Sequence, residues 1–413
     1  MKFSVLLPTR NGGRFLRNCI GSVLEQPYPD MELVVSDNAN TDETQSVVSA
    51  FRSDSRLKYI RLNEPVSVTE NWNVALQESQ GEYFLMIGDD DYLLPGYFDR
   101  MAQVIERYHH PDGIVYNAYS YVFPSSIDGN RSSYYADPHF RFGPGFADGF
   151  LPPDFRKAIV RDMFRFRVRY PLNMQLTLVS RRAADRIRGG PFQPPFPDHY
   201  ALNALLLDAQ TVVYCPEKLV VVGVSPKSFG HFAYSNKQDK GMRYLGSDSA
   251  FEGRLPGNEL VNSMYLWLVR LQANYSDQLG KIRISRADYV RRQAYAWCGQ
   301  LQSGHTTTGQ ALAQFARLSP GDWASLILSV FDSVSLTYLA RAVRSRSRDR
   351  IQAKWHGLQV LGSINDIKEF AAWILTDVQF VAAGHAQNPG IVSLVDAPST
   401  SAAGSLTKRG TSA

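Results

Sequence analysis

The chain has 413 residues, 44% of them apolar, and a formal charge of +5. That length points to one large domain with an appendage, and the composition supplies a proper core. The mild charge lacks the concentrated basic stripe of a nucleic-acid-binding protein, so no nucleic-acid partner is expected.

The first residues, Met1 to Leu7, form an apolar run that Pro8 and Arg10 soon end. It is too short for a signal peptide or a membrane span and reads as a first buried strand. After the turn Asn11-Gly12-Gly13, the residues Phe15, Leu16, Cys19, Ile20, Val23 and Leu24 recur at helical spacing. Gln26-Pro27-Tyr28-Pro29-Asp30 breaks that helix. Leu33-Val34-Val35 is a second strand, ending at Ser36-Asp37-Asn38. Asp42 and Gln45 are placed to cap a short helix. Leu57–Leu62 reads as a third strand, and Thr69 as the cap of a helix with Trp72, Ala75 and Leu76 inward. Tyr83–Ile87 is a fourth, fully buried strand that stops at Gly88-Asp89-Asp90-Asp91. Pro95 suits the first turn of another helix, and Gly113–Tyr116 is the next strand.

Strands alternating with such helices predict an α/β fold with a mostly parallel sheet covered on both faces. Ligands of such sheets sit beyond the carboxyl ends of the strands. Thr9-Arg10, Asp37-Asn38 and Asp89–Asp91 each follow a strand, so they are expected to gather on one edge.

Residues 119–170 lose the alternation and are rich in Tyr, Phe, Pro and Gly, which suits a lid or an acceptor surface. A strand at Leu176–Val179, a turn at Gly189-Gly190-Pro191, a helix through Ala201–Leu207 and strands at Thr211–Tyr214 and Leu219–Val224 follow. From about residue 255 helical patterns dominate: Leu260 to Leu271, Tyr289 to Leu301, Ala311 to Leu318, Trp323 to Val343 and Ile367 to Phe380. The expected division is a catalytic domain over 1–235, a helical region over 236–390 and a disordered tail over 391–413. Cys19, Cys215 and Cys298 are few and scattered. They suit a reducing, cytoplasmic compartment, not a disulfide or zinc framework.

Asp89-Asp90-Asp91 carries the sharpest chemistry. Three adjacent carboxylates at the end of an apolar strand repel one another, and a divalent cation, Mg²⁺ or Mn²⁺, explains the cluster best. The plainer reading is an acidic helix N-terminus.

Three blocks in order carry a family resemblance: Ser4 to Asn11, Leu33 to Asp42 and Gly81 to Pro95. Together they resemble the family 2 glycosyltransferases of bacterial type, over about residues 1–230. The resemblance implies a GT-A fold, a Rossmann-like sheet, here followed by a mainly helical C-terminal region. It further implies a nucleotide-sugar donor, with a UDP-sugar favoured, a glycan or lipid-linked acceptor and inversion at the anomeric carbon. Carried over, Pro8, Thr9 and Arg10 line the nucleotide pocket, and Asp37 accepts from the base edge. Asp90 with Asp91 binds the metal while Asp89 faces ribose or phosphate; Asp89 with Asp91 is the competing register. Relatives carry an Arg beside Asn71, where this chain has Glu70. Asn71 is a nucleotide-pocket residue or a packing residue. Asp198, about a hundred residues further on at a helix start, is the expected general base, with a plain helix cap as its alternative. Lys227 and His231 are candidates for the diphosphate or the metal.

Asp198, His199 and Lys227 each have an ordinary structural reading beside the functional one. The Arg-rich stretch Arg341, Arg344, Arg346, Arg348 and Arg350 adjoins an amphipathic segment from Trp323 to Leu339. It reads as a solvated or partner-contacting face, or as a peripheral contact with the inner face of a membrane. Two rival functions stand beside the transferase: a sugar nucleotidyltransferase, which would want a denser glycine loop after the first strand, and an idle GT-A scaffold.

Overall fold

The computed structural model describes residues 3–126, 131–136, 148–170, 173–228, 250–257, 259–302, 306–329 and 358–376. Within them a single sheet holds eleven strands. The first half alternates as its apolar runs require: β1 (Phe3–Thr9), α1 (Gly13–Leu24), β2 (Met31–Asp37), α2 (Thr44–Ser49), β3 (Leu57–Arg61), α3 (Val68–Gln77) and β4 (Tyr83–Met86). β1 lies between β2 and β4, parallel to both, and β3 extends the parallel ladder beyond β2. Right-handed crossovers place α1 and α2 on one face and return α3 to the other.

After β4 come β5 (Tyr92–Leu93), α4 (Tyr97–Arg107), β6 (Gly113–Val122), β7 (Ser133–Ala136), β8 (Gly149–Phe150), α5 (Pro153–Met163), β9 (Thr177–Ser180), α6 (Arg181–Arg186), α7 (Pro197–Asp208) and β10 (Val212–Val224). β9 slots between β4 and β6 and runs antiparallel to both. β10 runs parallel to β6 along its whole length. The two strands expected at Thr211–Tyr214 and Leu219–Val224 are one strand, irregular between Tyr214 and Val220. Pro216 has no N–H to give to a ladder, so the strand bulges there instead of ending.

The C-terminal helices fall where their spacing puts them: α8 (Glu259–Asn274), α9 (Ser276–Leu279), α10 (Arg286–Gln302), α11 (Thr308–Phe315) and α12 (Pro320–Ser329). α8 packs on α7, and α10 packs on α8, α11 and α12. Trp267, Tyr289 and Trp297 join the same apolar cluster as Phe3, Leu85 and Leu205, so the described C-terminal helices share the core of the sheet. The expected helix from Trp323 lies outside the described residues after Ser329, and the tail after 391 lies outside them altogether.

The chain then returns to the sheet. β11 (Gln359–Leu361) pairs antiparallel with β7, and α13 (Ile367–Thr376) covers a second cluster of Phe15, Tyr92, Tyr121, Tyr135 and Val221. Phe370 stacks on Tyr121 at 5.3 Å, and Lys368 pairs with Glu25 of the turn after α1. No described helix is long and apolar enough to cross a membrane.

Candidate functional site

The carboxyl ends of β1, β2, β4 and β10 meet on one edge. Asn11 and Asn40 stitch the first two together: the Asn11 N–H donates to Asn40 Oδ1, and the Thr41 N–H donates to Asn11 Oδ1, each at 2.9 Å. Asp42 Oδ2 accepts the first amide of α1, from Gly13, at 2.9 Å. Asp42 therefore ties the two loops together as well as accepting from Thr44.

The acid cluster lies beside this junction. Thr9 Oγ1 donates to Asp89 Oδ2 at 2.7 Å. Gly12 makes that approach possible, since a Cβ there would lie 1.7 Å from Asp89 Oδ2. Asp90 Oδ2 accepts the Ser225 N–H at 3.1 Å. Asp91 Oδ2 accepts the Gly88 N–H at 2.6 Å, and its Oδ1 accepts the Gly223 N–H at 2.9 Å. Successive residues of the turn thus face different partners. Asp91, 1% exposed, locks the end of β4 to β10, so both oxygens of this expected metal ligand are committed to backbone amides.

Burial and mutual repulsion raise the proton affinity of all three. For Asp90, burial and the Asp91 charge outweigh the hydrogen bonds from Ser225 and push the carboxyl up to about 7. For Asp91, burial outweighs the Gly88 and Gly223 amides and pushes it up to about 7 as well. Asp89 is shifted upward by burial and Asp90, against Thr9 and Lys227. The Cys19 thiol, donating to Gly88 O beneath the cluster, is raised by burial and the three carboxylates.

Lys227 stands above the junction. Its ammonium donates to Asn11 O and lowers the proton affinity of both Asp89 and Asp42. His231 lies outside the described residues. Pro8 and Arg10 are half-buried at the end of β1.

Asp37 occupies the expected position but is fully buried. Its Oδ1 accepts the Asn40 N–H at 2.7 Å, and its Oδ2 accepts the Tyr59 hydroxyl, with Arg61 at 3.4 Å. One oxygen thus serves the loop after β2 and the other serves β3. Asn71 accepts from Ser36 Oγ at 2.6 Å and is 4% exposed, so it pins α3 to the end of β2. Ser67, not Thr69, caps α3. Glu70 completes a capping box with it, which gives the residue standing where relatives carry Arg a local task.

α7 places Asp198. Its C-terminal end leads to Gln210, whose N–H donates to Asp112 at the start of β6. β10 then starts level with Gly113. α7 therefore runs against the strands, and its N-terminal end faces the carboxyl edge. The cap position is Phe196, so Asp198 lies inside the first turn with a side chain 19% exposed. His199 packs between Phe196 and Trp267.

Among the described residues no three His, Cys, Asp or Glu side chains converge as a metal cage. Mg²⁺ and Mn²⁺ sites with phosphate ligands commonly need only one or two carboxylates, the rest being phosphate and water. Asp89, half-buried, and Asp90, buried, are oxygen donors with raised proton affinity and fit such an ion. Ser225, Gly223 and Gly12 escaped the sequence reading. The two glycines carried a signal, as each marks a close backbone approach.

Residues 4–159 match the model of Glycosyl transferase family 2. Over those residues the chain is similar to family 2 glycosyltransferases, and its α/β sheet is followed by a helical C-terminal region. The poly(ribitol-phosphate) beta-N-acetylglucosaminyltransferase TarS of Staphylococcus aureus is 32% identical over 112 residues, 26% of this chain and 20% of TarS. The GalNAc(5)-diNAcBac-PP-undecaprenol beta-1,3-glucosyltransferase of Campylobacter jejuni is 36% identical over 115 residues, 27% of this chain and 37% of that enzyme. The matched segment thus spans well under half of these relatives' length. The crystal structure of S. aureus TarS 1–349 in complex with UDP-GlcNAc superposes with a TM-score of 0.48 at 16% identity, covering 80% of each chain.

Proposed function

We propose that this chain is a metal-dependent, inverting glycosyltransferase that moves a sugar from a nucleoside-diphosphate donor, a UDP-sugar, to a hydroxyl of a glycan or lipid-linked acceptor. The observation that carries the reading is the joining of Thr9, Asp89, Asp90, Ser225 and Lys227 on one sheet edge of a chain similar to family 2 glycosyltransferases. Asp89 and Asp90 would hold a divalent ion, which when bound stabilises the charge of the departing diphosphate. Lys227 adds a second positive charge for the same phosphates. Asp37, Asn71 and Asp91 position the loops. Pro8 and Arg10 flank the nucleotide.

Asp198 is the proposed base. It removes the acceptor hydroxyl proton as that oxygen attacks the anomeric carbon and the diphosphate leaves from the opposite face. The test is thermal stabilisation by a panel of nucleoside diphosphates, with and without Mn²⁺, on the native protein and on Asp90→Ala. Stabilisation by one diphosphate that needs metal and vanishes in Asp90→Ala supports the reading. No stabilisation of the native protein under any condition would turn it toward an idle scaffold. Assay of the released product separates the transferase, which frees nucleoside diphosphate, from a nucleotidyltransferase, which frees pyrophosphate.

A further inference from the structure

The turn that carries Asp198 lacks a cap of its own. Phe196 occupies the cap position of α7 and gives the first turn no side-chain hydrogen bond, and Pro197 follows it. Within the turn, Asp198 Oδ1 accepts the His199 N–H at 2.9 Å. Oδ2 stands 4.0 Å from His199 Nε2 and accepts no hydrogen bond among the described residues. Oδ2 is therefore the oxygen open to a proton, and its aim depends on where the turn lies.

α8, in the helical region beyond the sheet, holds that turn and the approach to it. The His199 ring lies between Phe196 at 5.5 Å and the fully buried Trp267 at 5.8 Å, the second contact edge to face. Asn274 is seven residues on from Trp267 and so shares its face of α8. Its Nδ2 donates to the Tyr200 hydroxyl at 2.7 Å, which donates in turn to Arg188 O. Tyr275, directly after α8, accepts the Arg188 N–H on its hydroxyl at 2.9 Å. Arg188 and Tyr200 bracket the segment that leads from α6 into α7, so these contacts fix both of its ends. None of them involves Thr9, Asp89, Asp90, Ser225 or Lys227.

We propose that Trp267 and Asn274 are positioning residues for the transfer: through His199 and Tyr200 they set Asp198 Oδ2 against the acceptor hydroxyl, which gives the C-terminal helices a part in the reaction. The inference rests on the reading of Asp198 as the base. A base serves only within hydrogen-bond reach of the proton it takes. A misplacement of about 1 Å can cost about a hundredfold in rate. A turn without its own cap takes that precision from the helix packed on it. Packing that serves stability alone differs in one respect: its loss slows the protein whether or not Asp198 is present.

The experiment is a double-mutant cycle on the full chain, read as nucleoside-diphosphate release from a panel of UDP- and GDP-sugars with Mn²⁺, water serving as acceptor. Asn274→Ala, at a half-buried site, is expected to lower kcat about tenfold or more. The donor KM is expected to stay within about twofold, and the rise in Tm given by nucleoside diphosphate with Mn²⁺ to stay unchanged. In an Asp198→Asn background, followed in single turnovers, the same change is expected to have no further effect. Trp267→Leu is expected to behave as Asn274→Ala does. Trp267→Phe keeps a ring against His199 and gives up no hydrogen bond, since the indole N–H has no partner among the described residues, and is expected to recover most of the rate. Thermal melts report folding, and Asn274→Ala carries the test should Trp267→Leu fail to fold. Two results overturn the inference and leave the transferase reading standing: Asp198→Asn slows release while Asn274→Ala keeps the native kcat, or Asn274→Ala slows the Asp198→Asn protein as much as the native one. If the native protein releases nothing from any donor, or Asp198→Asn is as fast as the native protein, the reading of the base falls and the inference falls with it.

Discussion

Asp90 and Asp91 are chemically identical neighbours with different expected phenotypes. Asp90→Ala removes a ligand of the proposed ion and is expected to lower kcat/KM about a hundredfold or more, with a smaller loss of thermal stability without metal than Asp91→Ala, since it leaves one buried amide, that of Ser225, without its acceptor where Asp91→Ala leaves two. Asp91→Ala leaves the buried amides of Gly88 and Gly223 without an acceptor and is expected to cost about 1–3 kcal/mol in a urea melt, with or without metal. Equal loss of stability in both would refute the division of labour. The pair also fixes a pH dependence. In the folded protein these carboxyls hold protons up to about pH 7, whereas in the unfolded chain they release them near pH 4. The metal-free protein is therefore expected to lose stability as pH rises from about 4 through 7. Mn²⁺ replaces those protons, so its upward shift of Tm is expected to be larger at pH 8 than at pH 5.

At the scale of elements, the junction of β6, α6 and α7 rests on Asp112, fully buried at the start of β6. Burial works against its charge. The hydrogen bonds from Arg182 and the Gln210 N–H, with the charge of Arg186, outweigh it and hold the carboxyl below the usual range. That contribution is full above about pH 4 and is lost as pH falls through the lowered folded value. Asp112→Asn is expected to destabilise by about 1–3 kcal/mol at neutral pH, the exposure of Arg182 limiting the figure, and by much less in acid. The close pass of β10 over the acid cluster is equally specific. A Cβ on residue 223 would lie 1.9 Å from the carbonyl oxygen of Asp90. Gly223→Ala is expected to abolish metal-dependent nucleotide stabilisation while leaving far-ultraviolet circular dichroism nearly unchanged.

The elements also show what a sequence displays and what it hides. β1, β2 and β4 were legible because strands buried on both faces read as unbroken apolar runs, and the acid cluster because it ends one of them. The direction of β9 was not. A four-residue apolar strand looks the same whichever way it runs, and only its neighbours decide. The different tasks of Asp90 and Asp91 were hidden for a related reason, since turn geometry aims them and composition does not. Asp37 was found at its place but with its carboxylate already engaged, because Tyr59 arrives from another strand. β11 was missed outright, three residues pairing with a segment more than two hundred positions away.

For the molecule as a whole, the return of residues 358–376 matters most. Phe370 is fully buried between rings contributed by β6 and β7. Phe370→Ala is expected to cost about 3–5 kcal/mol, measured by urea unfolding of the full chain. The second apolar cluster it anchors includes Phe15 of α1, on the helix whose first amide Asp42 holds beside the acid cluster. A loss of packing there is expected to weaken nucleotide stabilisation as well.

The pairing of β11 with β7 also sets an order of events during synthesis. β7 is made early, yet the strand that covers its edge is more than two hundred residues behind it. On a ribosome adding about 5–20 residues per second, that edge and the rings of Tyr121 and Tyr135 wait ten seconds or more for their cover. An unpaired strand flanked by aromatic side chains invites pairing with other chains. The nascent protein thus passes through a vulnerable interval that closes only when its last described strand arrives.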